Sequence, residues 1–265
     1  MSEAGPAPLC RRPAIPSFFD LVALDSVGST NDEAARRAAA GAPEGLLVWA
    51  LRQSEGKGRG GRRWHSPAGN LHCSLLLRVA RDPAGAAELA FVAALAVRQC
   101  AAELVSGCRV LCKWPNDVLI DGLKVAGVLL EARAEARATR VVVGIGVNVV
   151  DHPGDALHPA THLAAHGGRG VTAAAVLERL APALLGWREL WLREGFAPIR
   201  EAWLAHAAGL GQPLTARLPE RELSGRFLAL DERGALELED ANGEIHRVRA
   251  GDVFLAAAGP EIGAA

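Results

Sequence analysis

Two apolar runs near the middle of the chain, LKVAGVLLEAR from Leu123 and TRVVVGIGVNVV from Thr139, constrain the fold more than any other feature. Both read as strands, joined by a hairpin of Arg, Ala and Glu. Strands this apolar need other layers to cover them. The flanking sequence supplies helices. TNDEAARRAAAG reads as one, with Thr30 or Asn31 as N-cap, acidic residues in its first turn and Gly41 at its C-terminal cap. Residues 86–105 form an apolar helix ended by Gly107. Further helices are expected over 172–193, capped by Thr172, and over 198–208, with Pro198 near its first turn. Strand-like runs interleave with them: FFDLVALDSVGST, GLLVWALRQ, NLHCSLLLRV, and two short strands around the Pro-Asn-Asp turn of RVLCKWPNDVLID. The predicted main body is α+β, with a mixed or antiparallel sheet flanked by helices.

From about residue 212 the pattern changes to short strands with turn signals at Asp-Glu-Arg-Gly and Ala-Asn-Gly-Glu. Leu236 and Leu238 alternate with charged neighbours at period two. That predicts a small all-β module of four or five strands. A length of 265 residues suits one large domain plus such a module. The expected divisions are a flexible leader over 1–17, a main domain over 18–211 and a β module over 212–260.

Composition excludes several classes. The net charge of −1 gives no global basic field for nonspecific nucleic-acid binding. The five cysteines show no CxxC spacing and the eight histidines are not paired with them at ligand spacing, so reduced thiols are expected and zinc is not. No apolar h-region opens the chain. No uncharged apolar stretch reaches membrane-spanning length; the Ala-rich run at 84–104 carries Glu88, Arg98 and Glu103. A cytoplasmic protein without membrane association is the expectation.

QSEGKGRGGRRW, residues 53–64, is the least bland segment. Arg52, Lys57, Arg59, Arg62 and Arg63 face only Glu55 in charge, and four glycines let backbone approach a ligand closely. Arginine forks suit phosphate and carboxylate. No GxxxxGK[ST] is present and no helix pattern follows, so neither a P-loop nor a dinucleotide fingerprint fits. A solvated loop, an ordered anion loop and an RNA-binding RGG-like segment all stay open. The Pro115-Asn116-Asp117 turn, Lys124 beside Gly122, Asn148 inside the apolar GIGVNV and the GSTN at 28–31 each have a structural explanation too: a turn, a hairpin lysine, a satisfied polar group, a helix cap.

Their order is more specific than any one of them. GSTN, then QxxGKGRxGRxWxSPxGN, then KWPNDV with a lysine seven residues past the Asp, then GIGVNV, then a small β module resembles the biotin protein ligases, also called biotin–[acetyl-CoA-carboxylase] ligases, over residues 18 to 258. No comparable stretch supports a lipoate–protein ligase. The resemblance implies the biotin/lipoate ligase catalytic fold with a C-terminal SH3-like barrel. It implies ATP and biotin as substrates, Mg²⁺, biotinyl-5′-AMP as intermediate, and a biotin carboxyl carrier domain as partner.

Carried over by motif, Ser29, Thr30, Asn31 and Gln53 resemble biotin-pocket residues. Gly56, Lys57, Gly58 and Arg59 resemble the loop over the biotin tail and the adenylate phosphate, and Arg62 and Trp64 its nucleotide side. Asn116 and Asp117 resemble the turn that organises ATP and metal, with Asp117 the Mg²⁺ candidate. Lys124 resembles the active-site lysine reaching both the biotin carboxyl and the α-phosphate. With Arg59 it makes up the catalytic pair, and its role is electrostatic. Gly127, Gly144 and Gly146 are expected to leave room for the flat ring and the ribose, and Asn148 to reach the nucleotide.

Two departures stand out. The usual GRGRxG is here Gly-Lys-Gly-Arg-Gly-Gly, so Lys57 keeps the charge without the two-pronged contact. DHPGDALHPATHL replaces the segment the family orders over the adenine; it holds His152, His158 and His162 but no tryptophan. Too little sequence precedes GST for the DNA-binding helix-turn-helix of some members, so a short form that does not bind DNA is expected, as monomer or homodimer. A biotin or adenylate sensor without turnover is the main functional alternative.

Overall fold

The computed structural model describes residues 12–80, 83–136, 138–154 and 157–255. The main body begins with β1 (Asp20–Leu24), α1 (Thr30–Ala39), β2 (Leu46–Ala50), β3 (Leu71–Val79), the single turn α2 (Pro83–Ala86) and α3 (Leu89–Leu104). It continues with β4 (Val110–Lys113), β5 (Asp117–Ile120), β6 (Leu123–Ala134), β7 (Thr139–Val147), α4 (Ala173–Glu194) and α5 (Phe196–Ala205). The C-terminal module comprises β8 (Pro213–Arg217), β9 (Glu222–Leu230), β10 (Leu236–Glu239), β11 (Ile245–Val248) and β12 (Asp252–Leu255).

Strands β1 to β7 form one sheet in the order β1-β2-β3-β7-β6-β5-β4. Only the β1–β2 pair is parallel, with α1 as its crossover; all other pairs are antiparallel. The two central apolar runs are β6 and β7, paired from Ala126↔Val147 to Ala134↔Thr139. The sheet is mixed, as expected.

Side-chain alternation explains why these strands read as unbroken apolar runs. Leu46, Val48, Leu76 and Val142 face α1 and pack with its Ala34 and Ala38. Their neighbours Leu47, Trp49, Leu75, Leu77, Val141 and Val143 face the other way, into the larger core with α3 and α4. Both faces are covered, so both sets must be apolar.

Several boundaries differ from expectation for local reasons. The cap of α1 is Ser29, whose Oγ accepts from Asp32 N, and not Thr30 or Asn31. Those two side chains turn inward to partners on other strands and are not free to cap. Helix α3 starts at Leu89 because residues 83–86 close a turn of their own. Helix α5 starts at Phe196, two residues before Pro198, because Gly195 ends α4 and opens α5 at once.

Part of the expected leader is tied down. Pro13 is buried, Arg12 donates to Leu21 O at 3.0 Å, and Ala14 N donates to the Glu178 carboxylate at 2.9 Å. The idea of a flexible 1–17 segment therefore fails for residues 12–17. Residues 1–11 lie outside the described residues.

The C-terminal strands form a separate antiparallel sheet, β11-β10-β9-β8-β12, an SH3-like module with Phe227, Leu230, Leu236, Leu238 and Val253 in its core. Both sequence turn signals work as read: Asp231 Oδ1 accepts from the amides of Arg233 and Ala235, and Asp240 Oδ1 from those of Asn242 and Glu244. The module docks through backbone carbonyls. Trp114 Nε1 donates to Gly234 O at 2.9 Å, and Arg200 donates to Leu230 O.

Candidate active site

The Gly/Arg segment is an ordered loop between β2 and β3. Trp64 N donates to Gly56 O at 2.8 Å and Gly58 N to Arg62 O at 2.7 Å, which closes it like a hairpin. Its tip is a single 3₁₀ turn, Arg59–Gly61. Gly60 and Gly61 take φ of 68° and 75°, the left-handed region where glycine avoids a steric cost. Gly56 belongs to the loop's base: a Cβ there would sit 2.4 Å from Ser66 Oγ. It is the one candidate residue that does not line the cleft, and its part is in closing the loop.

That cleft has a volume of about 590 Å³. Beneath the loop, its floor is the α1-facing side of the central strands, where Gly127 pairs with Gly146 and Leu129 with Gly144. Apart from Gly56, every candidate from the sequence reaches it: Ser29, Thr30, Asn31, Gln53, Lys57, Gly58, Arg59, Arg62, Trp64, Asn116, Asp117, Lys124, Gly127, Gly144, Gly146 and Asn148.

One end is a neutral hydrogen-bonding network. Thr30 donates to Gln53 Oε1 through its amide at 2.8 Å and its hydroxyl at 3.0 Å, and Gln53 Nε2 donates to Ser66 Oγ at 2.9 Å. Ser74 Oγ lies 2.8 Å from Thr30 Oγ1 and 2.6 Å from Asn31 Oδ1. Asn31 Nδ2 donates to Glu131 at 2.7 Å. Ser29, spent on the helix cap, is the least available of the set.

The other end is charged. Lys124 Nζ pairs with Asp117 Oδ1 at 2.6 Å and lies 5.4 Å from the centre of the Trp64 ring. Lys113, only 5% exposed, donates to His158 Nδ1 at 3.3 Å. Burial, helped by the charge of Lys124, pushes the Lys113 ammonium down to about 8. Burial and then Lys113 push the His158 imidazole down to about 4, so it is neutral near pH 7. Asn116 donates its side-chain amide to Val128 O, and the Trp114–Pro115 peptide is cis.

The loop cations meet carboxylates. Lys57 pairs with Asp32 at 2.6 Å. Arg62 grips Asp252 of β12 with both prongs, at 2.9 and 3.0 Å. Arg59 donates to Asp252 at 2.7 Å and to Gly251 O. The C-terminal module thus reaches the cleft at Asp252, which holds both arginines, and at its neighbour Val253.

The glycines leave room for protein. A Cβ at Gly144 would come within 2.2 Å of Asn31 Oδ1, and one at Gly146 within 2.4 Å of the Trp64 indole. Asn31 and Trp64 pack directly against these two glycines on the cleft floor. Three buried polar atoms facing this region have no hydrogen-bond partner among the described residues: Trp64 Nε1, Asn148 Oδ1 and Asp117 Oδ1, the last held only by its ion pair with Lys124. Asn148 Nδ2 is used, donating to Thr161 O at 3.0 Å. The 157–168 segment lies alongside: Lys124 N donates to Pro159 O and Thr161 N to Lys124 O, both at 2.8 Å.

Lys113, His158, Asp252, Ser74 and Glu131 were missed from sequence. Lys113 carried a usable signal, as a lone cation ending an apolar strand ahead of Trp-Pro-Asn-Asp. Asp252 carried none, since it comes from 128 residues beyond Lys124 and only folding joins them.

The chain's likeness to known proteins agrees with this geometry. Residues 24–148 match the family model described as "Biotin/lipoate A/B protein ligase family", and residues 209–256 match "Biotin protein ligase C terminal domain". The chain is 42% identical over 240 residues to a biotin–[acetyl-CoA-carboxylase] ligase of Paracoccus denitrificans, covering 87% of this chain and 98% of that protein. The chain belongs to the biotin protein ligase family. Within it, a biotin–[acetyl-CoA-carboxylase] ligase of Mycobacterium tuberculosis is 33% identical, over 89% of this chain and 88% of that one. A solved biotin protein ligase from Aquifex aeolicus, in complex with biotin and ATP, superposes with a TM-score of 0.76 at 26% identity, over 89% of this chain and 99% of that one.

Proposed function

We propose that this chain activates biotin with ATP to biotinyl-5′-AMP, releasing pyrophosphate, and passes the biotinyl group to one lysine of a biotin carboxyl carrier domain of an acetyl-CoA carboxylase. The observation that carries this reading is the two-ended cleft: a neutral hydrogen-bonding pocket around Thr30 and Gln53, and a cationic end around Lys124, Lys113 and Arg59.

The chemistry needs both ends. A carboxylate must attack an α-phosphate, and the two repel. The Thr30–Gln53–Asn31 network offers donors and acceptors to a ureido ring, whose own groups are both. Lys124 would sit between carboxylate and α-phosphate, and its ion pair with Asp117 holds it in place. As the carboxylate oxygen bonds to phosphorus, the bond to pyrophosphate breaks and negative charge spreads over the phosphoryl oxygens. Fixed cations stabilise that charge without reorganising. Arg59 would close over the same phosphate once it exchanges Asp252 for the ligand. Trp64 Nε1 and Asn148 Oδ1 are a donor and an acceptor for the nucleotide. In the second step the carrier amine attacks the acyl carbon and AMP leaves. No covalent enzyme intermediate is needed.

Mg²⁺ is part of this proposal. Asp117 is a buried hard-oxygen donor on the cleft wall, and one carboxylate plus substrate phosphates is a usual donor set for that ion. Asp117 would hold it, and the ion would neutralise the departing pyrophosphate. A cytoplasmic setting fits the need for ATP and the free thiols of Cys73, Cys100, Cys108 and Cys112. No helix among the described residues is long and apolar enough to cross a membrane.

The test is pyrophosphate release from ATP with biotin or lipoate, with and without a carrier domain. Biotin-dependent release and a carrier mass gain of one biotinyl group are expected. Release without carrier labelling would favour a sensor, and release with lipoate alone would overturn the substrate.

A further inference from the structure

Cys108, Asp121 and His166 come together outside the cleft. Cys108 precedes β4. Asp121, with Gly122, forms the two-residue turn between β5 and β6, with φ of 48° and 84°. His166 ends the short 3₁₀ turn Leu163–His166. We propose that these three side chains form a binding site for a zinc-class divalent cation that clamps the 157–168 segment to the β5–β6 turn.

The three ligand atoms are close enough together to share one ion after small side-chain adjustments. His166 Nδ1 lies 3.7 Å from Cys108 Sγ and 3.8 Å from Asp121 Oδ2, and all three atoms lie within 4.8 Å of one another. Zinc–ligand bonds of about 2.0–2.3 Å at tetrahedral angles put ligand atoms roughly 3.3–3.8 Å apart. Two of the three ligands are also oriented from behind. His166 Nε2 lies 2.8 Å from Thr161 Oγ1, which leaves Nδ1 for the centre. Arg109 N donates to the other oxygen of Asp121 at 2.9 Å. Support of this kind from outside the first ring of ligands is what metal-bound histidine and carboxylate require.

The Cys108 thiol carries its own proton, directed at Ser106 O at 3.4 Å, and loading the site would exchange that proton and the imidazole–carboxylate contact for bonds to one cation. Asp121 is 46% exposed, which leaves an entry path and a fourth position for water.

The site's place gives it a consequence. Asp121 is three residues before Lys124, and the backbone of Pro159 and Thr161 brackets Lys124 on the other side. Binding would tie together the two strips of chain that hold that lysine. Ligand spacing in the sequence could not reveal the site, because its members come from three separate elements.

The test uses the full chain in a Cys10→Ser background, titrated with Co²⁺. The expected result is one tightly bound ion with tetrahedral d–d bands and a thiolate-to-cobalt charge-transfer band, displaced by one equivalent of Zn²⁺. The band should vanish in Cys108→Ser and in His166→Ala. It should persist in His246→Ala, which removes the other grouping of metal-type side chains, Asp240, Glu244 and His246, which has no thiol. Thr161→Val should weaken binding about tenfold. Two further measurements need no variant at the site. Zn²⁺ should protect Cys108 from alkylation, read by mass spectrometry, and should slow amide exchange across 157–168. Absence of the charge-transfer band, its survival in Cys108→Ser, or unprotected Cys108 would overturn the site. Unchanged exchange across 157–168 with the band present would overturn the clamp.

Discussion

Lys113 ends β4 almost fully buried, yet carries a cation at neutral pH because its ammonium still titrates near 8. The cost of that burial sets a pH dependence. Between about 8 and the usual 10.5 the unfolded chain holds the proton and the folded chain does not, so stability rises with pH across that window. The urea midpoint should climb there, and Lys113→Met should abolish the climb. Activity should run the other way. Pyrophosphate release should fall as pH rises through about 8, when the cleft loses a cation, and Lys113→Arg should carry activity to higher pH. A profile unchanged by Lys113→Arg would remove Lys113 from the phosphate's surroundings. Lys124 behaves differently, since its partner Asp117 compensates its charge. Lys124→Ala should cost roughly 10²–10³ in adenylation, the scale of losing one fixed charge-stabilising donor, and should lower the melting temperature without abolishing the fold, because Asp117 is left buried without its partner. Near-parental rates would sink the role given to it. Lys124 was legible because the motif brackets it. Lys113 signals itself as a lone cation in an apolar strand, but its partner His158 lies 45 residues on and only folding joins them.

The Gly/Arg loop shows how far element-level reading extends. Its glycines and cations left a solvated loop, an anion loop and an RNA-binding segment open, and the backbone bonds of Gly56, Gly58, Arg62 and Trp64 show that the loop is ordered. The partners of its cations were invisible, because Asp32 and Asp252 are far off in sequence. The same limit applies to β7. The resemblance implied that Gly144 and Gly146 leave room for ring and ribose, and nothing in the sequence says that Asn31 and Trp64 pack against them. Gly144→Ala should therefore displace Asn31 from Ser74 and Glu131, costing about 1–3 kcal/mol of stability and weakening biotin binding before ATP binding. Calorimetry with each substrate would separate the two; equal losses would mean that Asn31 is not on the biotin side. Arg59→Gly should let biotinyl-AMP escape and label lysines outside the carrier domain, and unchanged selectivity would take Arg59 off the phosphate.

At the scale of the whole molecule, the main sheet and the small module were each readable, and the resemblance implied that the module borders the nucleotide site, while the residues that make the contact were not readable. Hydrophobic period reports burial within a unit and says nothing of which edge touches the next one. The contact turns on Asp252, whose single carboxylate occupies the forks of Arg59 and Arg62. An anionic ligand has to compete with it. The pairs are partly exposed, so their hold is about 1 kcal/mol or less. Asp252→Asn keeps the shape and an accepting oxygen but removes the charge. It should raise the affinity for ATP severalfold, since 1.4 kcal/mol corresponds to about tenfold. It should lower the melting temperature by no more than about 2–4 °C, the shift expected from 1 kcal/mol in a domain of this size. Titration calorimetry of ATP against both proteins decides it. Tighter binding means that the C-terminal module restrains the loop. Weaker binding means that Asp252 presents the two arginines to the phosphate, and the module is then part of the site that makes the adenylate.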